Sequence, residues 1–217
     1  MSVLLHISAS PRGLASHSRR VARQFLGHLQ TMDGPPLQIV ERDLVAQPLP
    51  YPDCSFVDAM LTPEMQRTAE QTRALALSEK LIAELECADT LLIDTPMHNF
   101  TVPAALKTWI DHVVRIGRSF RSTREGKVGL LRDRPVCIVI ACGGPVPEPP
   151  TATGQVDFLT PYLRYVLATI GLRNVSVLCL TGLSRGETAL AQADADAAGW
   201  IEAATADWKR TTWSAAT

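Results

Sequence analysis

The sequence predicts an α/β fold: a doubly wound, five-stranded parallel sheet with helices on both faces. Three observations carry this. Five apolar, β-branched runs (residues 3–8, 37–42, 90–95, 135–141 and 174–180) alternate with helical patterns, as βαβ units do. Runs such as Val136-Cys137-Ile138-Val139-Ile140-Ala141 are apolar throughout, which suits strands covered on both sides. The 217 residues show no internal repeat and no break in composition, so a single domain spanning 1–217 is expected.

Taken in order, the first strand runs into a serine-rich segment, Ser8 to Ser18, and a helix whose N-terminus falls near Ser16. After the second strand, Thr62-Pro63-Glu64 sets an N-cap, a first-turn proline and a first-turn acid in order, predicting a helix from there to about Cys87. Met65, Ala69, Leu81, Ile82 and Leu85 mark its apolar face. The third strand ends in Pro96-Met97-His98-Asn99-Phe100. A helix from near Pro103 follows, with Leu106, Trp109, Ile110 and Val113 on one face and Gly117 as the expected C-terminal cap. Arg115, Arg118, Arg121 and Arg124 then lie among polar residues. A solvated helix end and loop is the favoured reading of that stretch over a phosphate-binding patch. The fourth strand leads into Cys142-Gly143-Gly144 and a stiff, proline-rich loop from Pro145 to Gly154. Thr160-Pro161 opens a helix carrying Leu163, Val166, Leu167 and Ile170, with Gly171 after it. The fifth strand and an alanine-rich helix from about 186 to 208 close the chain.

Composition narrows the function classes. The apolar share is 46%, the charged share 20% and the net charge −1, so neither nucleic acid nor an anionic membrane is an expected partner. No apolar run reaches the ~18 residues of a membrane span, and the first residues lack a signal-peptide pattern. The five cysteines are odd in number with no C-x-x-C spacing. Reduced thiols and a cytoplasmic location are expected, with Cys137 and Cys179 as small core residues and no metal site.

In a parallel sheet every strand's carboxyl end lies on one edge, where such sheets bind ligands. Three loops therefore converge. The first, Ser8 to Ser18, offers hydroxyls and helix N-terminal amides that can hold a phosphate without a lysine. It fits neither a Walker A loop nor G-x-G-x-x-G, and its plainer reading is an N-cap at Ser16 or Ser18. The second, Pro96 to Phe100, presents soft or flat apolar surface at Met97 and Phe100 and hydrogen bonds at Asn99. That mixture suits an aromatic heterocycle with polar edges; the plainer reading is a turn with Phe100 packed beneath it. The third, Cys142-Gly143-Gly144, permits close backbone approach, or is simply a turn.

On these residues the chain resembles the FMN-dependent NADH:azoreductases and quinone reductases of the flavodoxin-like superfamily. Ser10 with Ser16-His17-Ser18 matches that family's phosphate loop. Arg42-Asp43-Leu44 with Pro48-Leu49-Pro50 matches the segment after its second strand, and Leu61-Thr62-Pro63 the opening of its long helix. Pro96-Met97-His98-Asn99-Phe100 matches its P-M-Y-N-F signature, continued by Leu106-Lys107 and Asp111. Thr160-Pro161-Tyr162-Leu163 with Ile170-Gly171 matches a later helix. The chain departs at His98, where a tyrosine is usual, and at Ala141-Cys142, where Ser-Arg is usual. Phe120-Arg121-Ser122-Thr123 stands for F-R-Y-T, and the Pro145–Gly154 loop is longer.

The resemblance implies strand order 2-1-3-4-5 and tightly bound, non-covalent FMN. The phosphate would sit at Ser10, Ser16, His17 and Ser18. The ring would lie against Pro96, Met97, His98, Asn99, Phe100, Ala141, Cys142, Gly143 and Gly144. It also implies NAD(P)H as electron donor, quinone or azo acceptors in ping-pong two-electron transfer, and a homodimer with active sites at its interface. Phe120 and Tyr165 are candidates for the substrate pocket. Flavin N5 would carry the chemistry, with no certain catalytic side chain. His98 is either a proton donor or a hydrogen-bonded loop residue at the pocket wall, and Cys142 either tunes the flavin or fills space. The alternative activity is a flavodoxin-type one-electron carrier serving a protein partner.

Overall fold

The computed structural model describes residues 1–33, 36–147, 151 and 154–213. Its main sheet is built from β1 (Ser2–Ser8), β2 (Leu37–Asp43), β3 (Thr90–Pro96), β6 (Val136–Ala141) and β7 (Val175–Leu180). All pairings are parallel and the order is β2-β1-β3-β6-β7, the order 2-1-3-4-5 of a flavodoxin-like fold. Each expected strand lies within a residue of its observed bounds, because runs apolar on both faces have no other way to be covered.

Alternation along the strands divides the core. Leu4, Leu92, Cys137, Val139 and Leu178 pack under α1 (His17–Thr31) and α7 (Glu187–Trp213). Leu5, Ile7, Leu91, Ile93, Ile138 and Ile140 pack under α4 (Ala76–Cys87), α5 (Ala104–Val113) and α6 (Leu159–Ile170). Helix α1 begins where expected, its N-cap Ser16 accepting a bond from the Arg19 amide. Helix α6 ends at Gly171, whose φ of 110° needs a residue without a side chain. Cys137 is buried, with its thiol pushed up to about 12 by burial and then by Asp207, while Cys179 is only half-buried.

Several expectations are corrected. The helix from Thr62 to Cys87 is not continuous. Thr62 instead closes α2 (Cys54–Leu61), which Asp53 caps through the Phe56 amide. After a single 3-10 turn, α3 (Ala69–Ala74) begins at Thr68, which forms a capping box with Gln71. Met65, taken as part of an apolar face, is 96% exposed. The C-cap of α5 is Val114, and Gly117 lies in the following turn, with its amide bonded to the Phe120 carbonyl.

The arginine stretch is only partly solvated: Arg121 and Arg124 are exposed, whereas Arg115 is buried. It includes an antiparallel hairpin, β4 (Phe120–Thr123) with β5 (Gly126–Gly129). Arg115 is 1% exposed and bonds Ser78 and Glu79, while Arg118 bonds Glu79 and Glu86. The hairpin seats on α6: a Cβ at Gly129 would lie 2.2 Å from the Gly171 backbone nitrogen. The expected Pro145–Gly154 loop lies partly outside the described residues.

Candidate functional site

The loops after β1, β3 and β6 meet at the carboxyl edge, joined there by the loop after β7. Ser10, Arg12, Ser16, His17, Pro96, Met97, Ala141, Gly143, Leu183 and Ser184 line one open cavity of about 200 Å³. One end is polar and cationic; the other is formed by Pro96, Met97 and the glycine loop.

The polar end is built on the start of α1. No acid occupies the first turn of this helix, so its positive end is not neutralised from within. Ser10 and Ser16 are buried, at 2% and 3% exposure, yet border the cavity. Arg12 is exposed beside them and its amide donates to Ser10 Oγ at 3.4 Å. Burial, followed by the charges of Arg20 and Arg12, holds the His17 imidazole below its ordinary value. Ser18 is fully buried and points inward, donating to Asp94 Oδ1 at 3.3 Å. It lies one layer behind the wall, with its Oγ 3.2 Å from Ser16 Oγ. A serine, an aspartate and a histidine do meet here, because His6 Nε2 is 2.9 Å from Asp94 Oδ2. This is no hydrolytic triad: both partners bond the carboxylate rather than each other, and the serine has no access to solvent.

The loop after β3 owes its shape to a two-residue hairpin. His98 and Thr101 exchange both backbone bonds at 3.0 Å, and Asn99 and Phe100 have φ of 47° and 72°. Two successive positive φ values are what a type I′ turn requires. Asn tolerates the first, whereas a phenylalanine at the second carries strain of about 1–2 kcal/mol. Phe100 nevertheless stands 50% exposed, and its carbonyl accepts the Phe158 amide at 3.1 Å. The turn lifts an aromatic ring and two amides to the rim instead of packing Phe100 beneath. His98 is exposed at the same rim. Helix α5 then starts at an N-cap, Pro103, with no side-chain cap, leaving its first amides for other acceptors.

Beneath the apolar end, Gln155 Nε2 lies 2.9 Å from Met97 Sδ and 3.0 Å from Cys142 Sγ. Cys142 is 1% exposed. Burial raises its thiol, outweighing the Gly144 and Gln155 hydrogen bonds, so it stays protonated at neutral pH. A Cβ at Gly143 would meet nothing nearer than Ser184 Oγ at 3.6 Å, so the cavity has room at that point. At Gly144 the space is taken by the Gln155 amide, 2.4 Å from where a Cβ would be.

Phe120 and Tyr165 do not line this cavity. Phe120 is 8% exposed, with Lys127 Nζ 5.2 Å from its ring centre, and Tyr165 is 68% exposed on α6. The sequence reading missed Arg12, Leu183, Ser184 and Gln155. A cation within the serine loop was the available signal for Arg12, and a fourth loop on the same edge for Leu183 and Ser184. Nothing local marked Gln155. Among the described residues no group of three or more His, Cys, Asp or Glu could hold a metal ion.

The donor set fits a flavin mononucleotide. Serine hydroxyls, Arg12 and the start of α1 face its phosphate, and soft apolar surface with loop amides faces its ring. A family model described as a flavodoxin-like fold matches residues 2–204. FMN-dependent NADH:quinone oxidoreductase 2 of Cupriavidus pinatubonensis is 50% identical over 88% of this chain and 92% of its own length. FMN-dependent NADH:quinone oxidoreductase 4 of Pseudomonas fluorescens is 48% identical over 88% and 89%. The crystal structure of an azoreductase from Bacillus anthracis superposes with a TM-score of 0.79 at 25% identity, covering 97% of this chain and 100% of that one.

Proposed function

We infer the chemistry of this chain from its family: it belongs to the flavodoxin-like fold family, among FMN-dependent NADH:quinone oxidoreductases. Its proposed activity is FMN-dependent NADH oxidation coupled to reduction of quinones and azo compounds, with residues 1–217 acting as one FMN-binding domain. The observation that carries this is the meeting of the three loops in one cavity, cationic at one end and apolar at the other.

When bound, FMN supplies two-electron transfer from NADH to a quinone or azo acceptor, the two substrates using one seat in turn. The protein's part is placement and electrostatics. Ser10, Ser16, Arg12 and the first amides of α1 hold the phosphate, with His17 beside them and Ser18 supporting from behind. Pro96, Met97 and Phe100 flank the ring. The amides of Asn99 and Phe100, near the uncapped start of α5, stabilise negative charge at the ring's pyrimidine edge. Ala141, Cys142, Gly143 and Gly144 approach the other edge, Cys142 as packing beneath it. His98, exposed at the rim, would serve either as a proton donor to an acceptor or as pocket wall.

Exposed Leu14, Phe100, Phe158 and Tyr165 support a homodimer that completes the acceptor site, bringing Tyr165 and Phe120 of the two copies toward the flavins. Among the described residues no helix is long and apolar enough to cross a membrane, and a cytoplasmic location is proposed. Arg115 and Arg118 are engaged by glutamates, which favours NADH over NADPH. The test is the visible spectrum of the purified protein before and after anaerobic NADH. Flavin bands that bleach with NADH and return with quinone are expected. A colourless protein that takes up no added FMN overturns the reading.

A further inference from the structure

We propose that Gln155 is a positioning residue of the flavin seat: its amide, housed in the space that Gly144 leaves open, ties the Met97 thioether to the Cys142 thiol and so fixes the surface on which the ring rests. This rests on the cofactor reading above, in which Met97 flanks the ring, and it gives the glycine at 144 a purpose other than close approach to the ring.

A methionine side chain has three rotatable bonds and adapts to whatever touches it, so an untethered Met97 makes an ill-defined seat. Two side chains tether it. Gln155 Nε2 lies 2.9 Å from Met97 Sδ and 3.0 Å from Cys142 Sγ. The Cys142 thiol reaches Met97 Sδ at 3.9 Å. The hydrogens suffice: the amide nitrogen has one for each sulfur, and the thiol brings its own. Sulfur accepts weakly, but two bonds from one amide hold both side chains in a single arrangement. Gln155 itself does not line the cavity, so it acts on the ring only through Met97 and Cys142.

Gly144 makes the room. A Cβ there would lie 2.4 Å from Gln155 Oε1 and 3.5 Å from its Cδ. The φ of Gly144 is not positive, so its backbone alone does not call for glycine. The loop around it is held separately. The Cys142 amide bonds the Leu180 carbonyl at 2.8 Å, and the Gly144 carbonyl accepts the Gly182 amide at 2.9 Å. With that backbone fixed, a methyl group at 144 displaces the flexible Gln155 amide and breaks both sulfur bonds.

The backbone holds Gln155 in place. Its own amide donates to the Pro145 carbonyl at 3.3 Å. Asp157 Oδ1 then accepts the Leu159 and Thr160 amides, each at 2.8 Å, which anchors the segment to the start of α6. The Phe158 amide donates to the Phe100 carbonyl at 3.1 Å. Residues 155–158 therefore clasp the loop after β3 at both ends, by a side chain at Met97 and by the backbone at Phe100.

The test is a double-variant cycle, read by titrating FMN and riboflavin into the flavin-free full chain. Gln155→Ala should raise both Kd values alike, by about tenfold, since the two flavins share the ring and two such bonds are together worth about that factor. Gly144→Ala should cost the same. The double variant should also lose about tenfold rather than about a hundredfold, because the second change finds nothing left to displace. Gln155→Met keeps the bulk without an N–H, should match Gln155→Ala, and covers the case in which the alanine variant does not fold. At saturating FMN the visible band of the bound flavin, which reports what touches the ring, should change in both Gln155 variants. A merely structural loss lowers Tm and leaves that band as in the wild type. An unchanged band, unchanged riboflavin affinity, additive losses in the double variant or wild-type affinity in Gln155→Met each overturns the inference alone. So does tighter flavin binding in Gln155→Ala, which would put the amide in the ring's own place. A wild-type chain that binds neither flavin overturns the cofactor reading and this inference with it.

Discussion

Removing Glu79 should cost more stability than removing its buried partner, Arg115. The Arg115 guanidinium is 1% exposed, whereas the Glu79 side chain is 43% exposed and also bonds Arg118. Glu79→Ala strands a buried cation, a loss that reaches about 3–5 kcal/mol in closed sites. Water reaching the half-exposed glutamate position puts this case at the lower end, about 3 kcal/mol. Arg115→Met removes the buried charge and fills its volume, while Glu79 keeps Arg118 and solvent. The cost there is about 1 kcal/mol, mostly the bond to Ser78. For a chain of this size these become Tm losses of about 6–12 °C and about 2–4 °C, read by thermal unfolding at matched, saturating FMN. Equal losses, or a larger loss for Arg115→Met, would refute the argument that burial sets the asymmetry. Acidification should narrow the gap. Burial raises the Glu79 carboxyl, but the bonds and charges of Arg115 and Arg118 outweigh it, leaving it below its ordinary 4.5. Its stabilisation is thus complete above about 4.5 and lost as pH falls through the lower folded value.

Other consequences are open to direct measurement. Arg12→Ala should raise the FMN Kd about tenfold, as expected for one exposed charge-assisted bond, and flatten its salt dependence while leaving riboflavin affinity alone. An unchanged FMN Kd would remove Arg12 from the phosphate site. A bulky thiol reagent should label exposed Cys54 and Cys87 on the folded protein and spare Cys142, with no loss of FMN; rapid Cys142 labelling would contradict its burial. His98→Phe should slow quinone and azo turnover if this ring delivers a proton, and unchanged turnover would leave it as pocket wall. Light scattering should give twice the chain mass of 23.6 kDa, and a monomer mass would sink the shared-site proposal.

Local pattern reached the sheet and the ligand edge because both are written in short stretches. A strand buried on two faces is apolar at every position, so its bounds can be read directly. Ser16 as the α1 cap and Gly171 as the α6 terminator follow from backbone chemistry within a few residues. The convergence of the Ser10, Met97 and Gly143 loops needed no contact information, since parallel strands put all their carboxyl ends on one edge. The failures had a common origin in competition between local signals. Thr62-Pro63-Glu64 imitates a helix start, yet Thr68 with Gln71 satisfies two amides at once and wins. Phe100 stands at a positive φ, a position a residue count would have assigned to glycine.

What the sequence determined by itself is therefore the layered α/β plan, the order of its segments and the edge at which a ligand sits. These depend on periodicity and turn chemistry, which act between near neighbours. The tertiary structure alone decided the fate of individual polar groups. Arg115 looked like solvated charge until Ser78 and Glu79, dozens of positions earlier, enclosed it. Ser18 looked like a phosphate donor until Asp94, 76 positions away, claimed its hydrogen. A buried polar group must find its partner wherever the fold brings one, and that distance in space is not encoded in distance along the chain.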